Sequence, residues 1–162
     1  MINIKRFIQK IRDYFVGYNV FISFEDKDIK YATIIRDFLI KFGAKVFVYK
    51  RSIEVGKKWR EEIKDNLKYC DLFIVLISSR SLKSANVRSE MGGAYFLDKD
   101  YLPVLLEDVK KDYLGMIDEL QYVNYKDKKF FPSLRNRMFK IYLKRAFFLI
   151  IIIGIYIYSK FN

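Results

Sequence analysis

The sequence predicts an α/β domain built on a five-stranded parallel sheet, followed by an apolar C-terminal helix. Three observations lead there. Short β-rich runs alternate with segments of helical spacing from Tyr18 to about residue 125, which implies repeated βα units with right-handed crossovers. The run Asp71–Ser78 is apolar almost throughout, as a strand covered on both faces should be. The stretch AFFLIIIIGIYIYS, residues 146–159, stands apart from this alternation and carries no charge.

Taken in order, residues 1–17 read as an amphipathic helix. Ile4, Phe7, Ile8, Ile11 and Phe15 recur at helical spacing among Lys5, Arg6, Lys10 and Arg12. Such a helix either packs on the domain or lies on a membrane surface. Tyr18–Phe24 is the first strand. Residues 27–42 are helical through Ala32, Ile35, Phe38 and Leu39, and Gly43 ends that helix. Lys45–Tyr49 is the second strand, and a polar loop to Gly56 leads into a helix over 57–70. Asp71–Ser78 is the third strand, 84–97 a helix, and Tyr101–Leu106 the fourth strand. A short helix over 109–119, a fifth strand at Gln121–Tyr125 and a helix from about 130 complete the series. Five such strands suit the flavodoxin-like, doubly wound order 2-1-3-4-5. Its ligand crevice lies at the carboxyl ends of strands one and three, where the order reverses.

Composition narrows the function classes. The chain has no histidine and a single cysteine, Cys70, so no intrachain disulfide can form, and a zinc site or a His-dependent catalytic arrangement is nearly excluded. Cys70 reads as a small core residue. No metal is expected. The formal net charge of +12 is unevenly placed. Residues 1–17 hold four Lys/Arg against one Asp, residues 126–162 hold nine against one, and residues 18–125 hold 18 against 17. The central domain is therefore nearly neutral. A nucleic-acid partner is not expected, because its basic stripe would cross the folded domain. Basic residues beside an apolar segment suit a cytoplasmic membrane face.

The domain organisation follows: an amphipathic helix at 1–17, an α/β domain at 18–128, a basic juxtamembrane helix at 129–145 and a membrane anchor at 146–159. The anchor is shorter than the ~18–20 residues of a standard span. Lys144, Arg145 and Lys160 can extend its reach by snorkelling, and Tyr156 and Tyr158 suit an interface. The alternative is a buried terminal element. With Lys140, Lys144 and Arg145 on the domain side, the domain is expected to face the cytoplasm.

Four segments in the right order, YNVFISFEDKD (18–28), KVFVYKRSIEVGKKWREEI (45–63), CDLFIVLISSRSLKSANVRSEMGGAY (70–95) and YLPVLL (101–106), resemble a TIR domain of the bacterial type. The loop ending in Gly56, followed by Trp59, resembles the family's BB loop. The resemblance covers residues 18 to about 125. It implies either NAD⁺ cleavage or protein assembly. In catalytic members one glutamate on the helix after the third strand is essential, and it corresponds to Glu90. The loss of nicotinamide from a ribose leaves an oxocarbenium-like centre that a carboxylate can stabilise. The leaving group is already cationic, so the lack of histidine is no obstacle. NAD⁺ is thus expected as substrate, not as cofactor.

The resemblance also brings Phe24 and Glu25 to positions that line the family's pocket. Phe24 either stacks on a substrate ring or packs in the core. Trp59 either borders the site or anchors the BB loop. Ser79 either donates to a phosphate or ribose or caps a turn. Two positions depart from many catalytic relatives: Asn86 stands where they carry tryptophan, and Tyr49 where they carry aspartate. These point to an altered substrate preference or to lost activity. The string ANVRSEMGGAY also resembles nucleoside deoxyribosyltransferases, in which a glutamate likewise acts at a ribosyl centre. Three functions stay open: a membrane-tethered NAD⁺ glycohydrolase or cyclase in prokaryotic antiphage defence, a non-catalytic TIR interaction module, and a nucleoside or nucleotide ribosyl-transfer enzyme. The first implies self-association through Arg51–Lys58 and, as trigger, either a separate sensor protein or an oligomerisation cue.

Overall fold

The computed structural model describes residues 18–48, 57–109 and 122–161. The expected amphipathic helix at 1–17, the expected end of the second strand at Tyr49, the expected polar loop over 50–56 and most of the expected helix at 109–119 lie outside the described residues. Strands β1 (Tyr18–Ser23), β2 (Ala44–Val48), β3 (Leu72–Ile77), β4 (Asp100–Leu105) and β5 (Val123–Asn124) form one sheet. The order is β2-β1-β3-β4-β5 and every pairing is parallel. Helices α1 (Ile29–Lys41), α2 (Lys57–Tyr69), α3 (Ala85–Phe96) and α4 (Phe130–Phe161) cover it.

Register follows from burial. β1 pairs with β3 through Val20–Leu72 and Ile22–Ile74, and all six residues of β3 are fully buried. Because side chains alternate along a strand, β1 divides its residues between two cores. Tyr18, Val20 and Ile22 join Leu72, Ile74 and Leu76 beneath α1 and α4. Phe21 points the other way and joins Phe73, Val75 and Ile77 beneath α2 and α3. There Phe21 meets the rings of Phe47 and Phe73 at 5.2 and 5.6 Å. Cys70 closes the end of that second core, and burial pushes its thiol up to about 11.

The expected helix from residue 130 proves to be one uninterrupted helix that does two jobs. Phe130, Leu134 and Met138, spaced by four, are buried in the first core, so packing continues past residue 128. Polar contacts then fasten the same helix to the amino-terminal edge of the sheet. Arg137 holds Asp100 at the start of β4 through two guanidinium nitrogens. The Tyr142 hydroxyl donates to the Phe42 carbonyl at 2.5 Å. Arg145 pairs with Asp71 at 3.1 Å and lies 5.3 Å from the Tyr18 ring centre. Gly43, at φ +80°, makes the turn after α1 possible, and a Cβ there would sit 3.2 Å from the Tyr142 hydroxyl. Beyond Arg145 the helix leaves the domain, with Ile150–Tyr158 exposed. It is long and apolar enough to cross a membrane, with a mean hydropathy of 1.9 in its most apolar window.

The docking of α4 has a measurable weight. Met138 is 1% exposed while its neighbour Phe139 is 62% exposed. Met138→Ala is expected to cost about 2–5 kcal/mol in chemical denaturation of the detergent-solubilised chain. Phe139→Ala is expected to change stability by less than about 0.5 kcal/mol. Equal effects would mean that α4 does not belong to the core.

Candidate active site

The carboxyl ends of β1 and β3 meet where strand order reverses, and a buried carboxylate sits beside them. Ser23, the last residue of β1, shares the side of the strand with Phe21. Its hydroxyl donates to the Glu90 carboxylate at 2.5 Å. Ser23 is 1% exposed and Glu90 7%, so this bond is shielded from water yet reaches the surface. Glu90 lies in the second turn of α3, whose first turn is capped by Ser84 accepting from the Val87 amide. The helix can lie close because Gly93 has no side chain: a Cβ there would come within 2.9 Å of Leu67 on α2.

That contact pins α2 and α3 together at one end and leaves a cavity of about 380 Å³ between their other turns. Its walls carry opposite charge. Arg60 and Lys64 project from α2, while Asn86, Ser89 and Glu90 project from α3. The spacing of these residues, three and four apart on each helix, puts each set on one face. Such a cavity offers a carboxylate for developing positive charge and cations for phosphate within a single ligand's reach.

Two polar braces tie together the loops at the carboxyl edge of the sheet. The fully buried Asp28, just after β1, accepts from the Ser78 hydroxyl and from Arg80, each at 2.6 Å. Ser78 and Ser81 also bond reciprocally, amide to hydroxyl, at 2.8 and 3.1 Å. Further along, the Ser79 amide and hydroxyl both donate to Glu107 at 2.6 Å. These donors hold the Glu107 carboxyl below the usual range. The first brace joins the loops after β1 and β3, and the second joins those after β3 and β4.

Residues 20–138 match the TIR domain family. The chain belongs to that family. No curated protein sequence matches it. Among solved structures this TIR domain is similar to that of the Toll-related receptor TRR-2 from Hydra magnipapillata, with a TM-score of 0.61 and 24% identity over 76% of this chain and 98% of the other. It is also similar to the CMP N-glycosidase BcmB of Clostridium botulinum, with a TM-score of 0.55 and 22% identity over 73% and 98%. The TIR domains of the activated Roq1 resistosome, which recognises the pathogen effector XopQ, align at a TM-score of 0.50 and 16% identity over 80% and 83%. At these identities the likeness is one of fold.

Within the TIR fold, the residues singled out from sequence do not all converge. Glu90 and Asn86 line the same cavity. Phe24 is 1% exposed and packs beneath α1 and α4, on the opposite side of the sheet from Glu90. Glu25 begins the turn over Asp26–Asp28, its carbonyl accepting from the Asp28 amide at 2.6 Å. Ser79 is engaged with Glu107. Trp59 falls in the first turn of α2, with its side chain outside the described residues. Ser23, Arg60 and Lys64 were not singled out. Alternation from Phe21 along β1 points Ser23 toward α3, and helical spacing after Trp59 pairs Arg60 with Lys64.

The brace at Asp28 yields a stability prediction. Asp28→Ala leaves the buried Ser78 hydroxyl without its acceptor and is expected to cost about 1–3 kcal/mol in thermal or denaturant unfolding. Asp28→Asn, which keeps one acceptor oxygen, is expected to cost less. A neutral Asp28→Ala would remove the brace from any account of how the loops after β1 and β3 are held.

Proposed function

We propose that this TIR domain cleaves the N-glycosidic bond of a nicotinamide dinucleotide, with Glu90 facing the reacting ribose. The observation that carries the reading is the buried Ser23–Glu90 hydrogen bond on the wall of a cavity whose other wall is cationic. As the bond from ribose C1 to the pyridinium nitrogen lengthens, positive charge moves onto the sugar ring and nicotinamide departs neutral. A fixed carboxylate beside the ring stabilises that charge, and for a group as buried as Glu90 the effect is larger than in bulk solvent. Ser23 holds one carboxylate oxygen in place, so little reorganisation accompanies the step. Arg60 and Lys64 suit the phosphates of the same substrate. Water adding to C1, with loss of a proton, gives ADP-ribose. An internal nucleophile gives a cyclic product.

A second reading is a smaller nucleotide as substrate. Asn86 places an amide at the cavity where many catalytic relatives carry an indole, and an amide can pair with a base edge. The Clostridium botulinum neighbour is a CMP N-glycosidase, the same class of bond cleavage. In either case the α4 extension tethers the domain to a membrane, with Lys140, Lys144 and Arg145 placing it on the cytoplasmic side. Self-association through residues 51–58 and a separate sensor protein fit a role as a defence effector.

Glu90→Gln should lower nicotinamide release from NAD⁺ by about 10²–10³-fold, the scale of losing one transition-state electrostatic partner. Ser23→Ala should lower kcat about tenfold with KM little changed, since it acts through Glu90. Parallel assays with CMP read the smaller-nucleotide alternative. Full turnover by a folded Glu90→Gln variant would remove Glu90 from the mechanism.

The tether is read separately. A chain ending at Arg145 should move from the membrane to the soluble fraction on cell fractionation. Retention on membranes would shift the anchor elsewhere.

A further inference from the structure

The amino-terminal edge of the sheet, from which α4 departs, carries a surface that the tether alone does not explain. Helices α1, α2 and α3 all end there, because each runs back from the carboxyl edge to start the next strand. Phe96, at the end of α3, is 88% exposed, with Tyr95 at 59% and Leu97 at 47%. Tyr69, at the end of α2, is 64% exposed, and its carbonyl accepts from the Asn19 side-chain nitrogen at 3.5 Å, at the start of β1. Lys68 and Lys99 lie between these aromatic groups, the Lys99 ammonium donating to the Lys68 and Cys70 carbonyls. Of the nearby acids, Asp71 and Asp100 are already paired with Arg145 and Arg137, while Asp98, exposed beside Leu97, sets one negative charge against Lys68 and Lys99. Exposed aromatic residues interspersed with lysines are what the headgroup layer of a bilayer accommodates.

Helix geometry brings this edge to that layer. Arg145 is bonded to Asp71 at the base of the domain, and the uncharged run begins at the next residue, Ala146, in the same unbroken helix. No linker separates the domain from the apolar segment. The 14 residues 146–159 rise only about 21 Å, against ~30 Å of hydrocarbon. A short span relieves that mismatch by drawing its flanks toward the membrane.

We propose that the amino-terminal edge of the domain, centred on Tyr69, Tyr95, Phe96 and Leu97, is a second membrane-contact surface that seats in the headgroup layer of an anionic bilayer. The inference rests on the reading of residues 146–159 as a tether. Its consequence is a fixed orientation: Glu90, bonded to Ser23 at the carboxyl end of β1, is held on the edge of the domain that faces away from the lipid.

The test uses the full chain. Phe96→Cys and, separately, Asp108→Cys carry an environment-sensitive fluorophore. Asp108 is exposed beyond the carboxyl end of β4, and buried Cys70 is left unlabelled, with the parent chain as blank. Both proteins are reconstituted into phosphatidylcholine–phosphatidylserine vesicles containing headgroup spin-labelled lipid. The probe at 96 should be quenched several-fold more than that at 108. A flexible Gly-Ser insert between Arg145 and Ala146 should abolish most of that difference. Equal quenching at both positions, in protein that floats with the vesicles, overturns the second contact and leaves the tether intact. Failure to float overturns both. Shielding at 96 that persists in detergent, grows with protein concentration and is insensitive to the quencher assigns the surface to a second copy of the chain and overturns the proposal.

Discussion

Five strands running the same way give this domain two unlike edges, and the parallel pairing of β1 with β3 sets where everything else goes. Every helix must return from the carboxyl edge to the amino edge, so both faces of the sheet are covered and β3 is buried along its whole length. Loops that follow the strands gather at one edge, and helix ends gather at the other. Glu90, Ser23 and the braces at Asp28 and Glu107 belong to the first. Asp71, Asp100, Tyr142 and Arg145, which fasten α4, belong to the second.

The Ser23–Glu90 bond makes sense in that frame. Burying a carboxylate costs free energy unless a donor offsets the lost hydration. Ser23 supplies a donor from the strand, because side-chain alternation turns it toward α3, while Gly93 lets α3 approach α2 closely enough to close the end of the cavity. A larger side chain at 93 would wedge the two helices apart and expose the carboxylate. The cavity therefore depends on a missing methyl group as much as on the charged residues along its walls.

Much of this was legible in the residues, and what was not has identifiable causes. Strand order followed from five apolar runs, since β3 and the alternating βα pattern admit few topologies. Glu90 was reachable only through family resemblance, because a lone helix glutamate has no distinguishing pattern. Phe24 shows the limit of carrying a position across a family: one residue beyond Ser23, alternation turns it to the other core. Residues 129–145 were read by their charge, which conceals a core stripe. Phe130, Leu134 and Met138 recur every fourth residue, and the lysines and arginines between them face solvent or reach acids at the strand starts. The Asp28 network was hidden because partners 50 residues apart leave no local pattern.

The unbroken α4 also limits symmetry. With its apolar end in a bilayer, as proposed above, a helix whose other end is part of the domain core would tie each domain's up-direction to the membrane normal. Copies anchored in one leaflet orientation can then be related only by rotation about that normal or by translation in the plane. Cyclic rings, rows and sheets satisfy this condition, whereas dihedral assemblies, which need a two-fold axis lying in the membrane plane, do not. Any oligomer this chain builds on a single membrane is therefore polar, with every cavity opening on the same side.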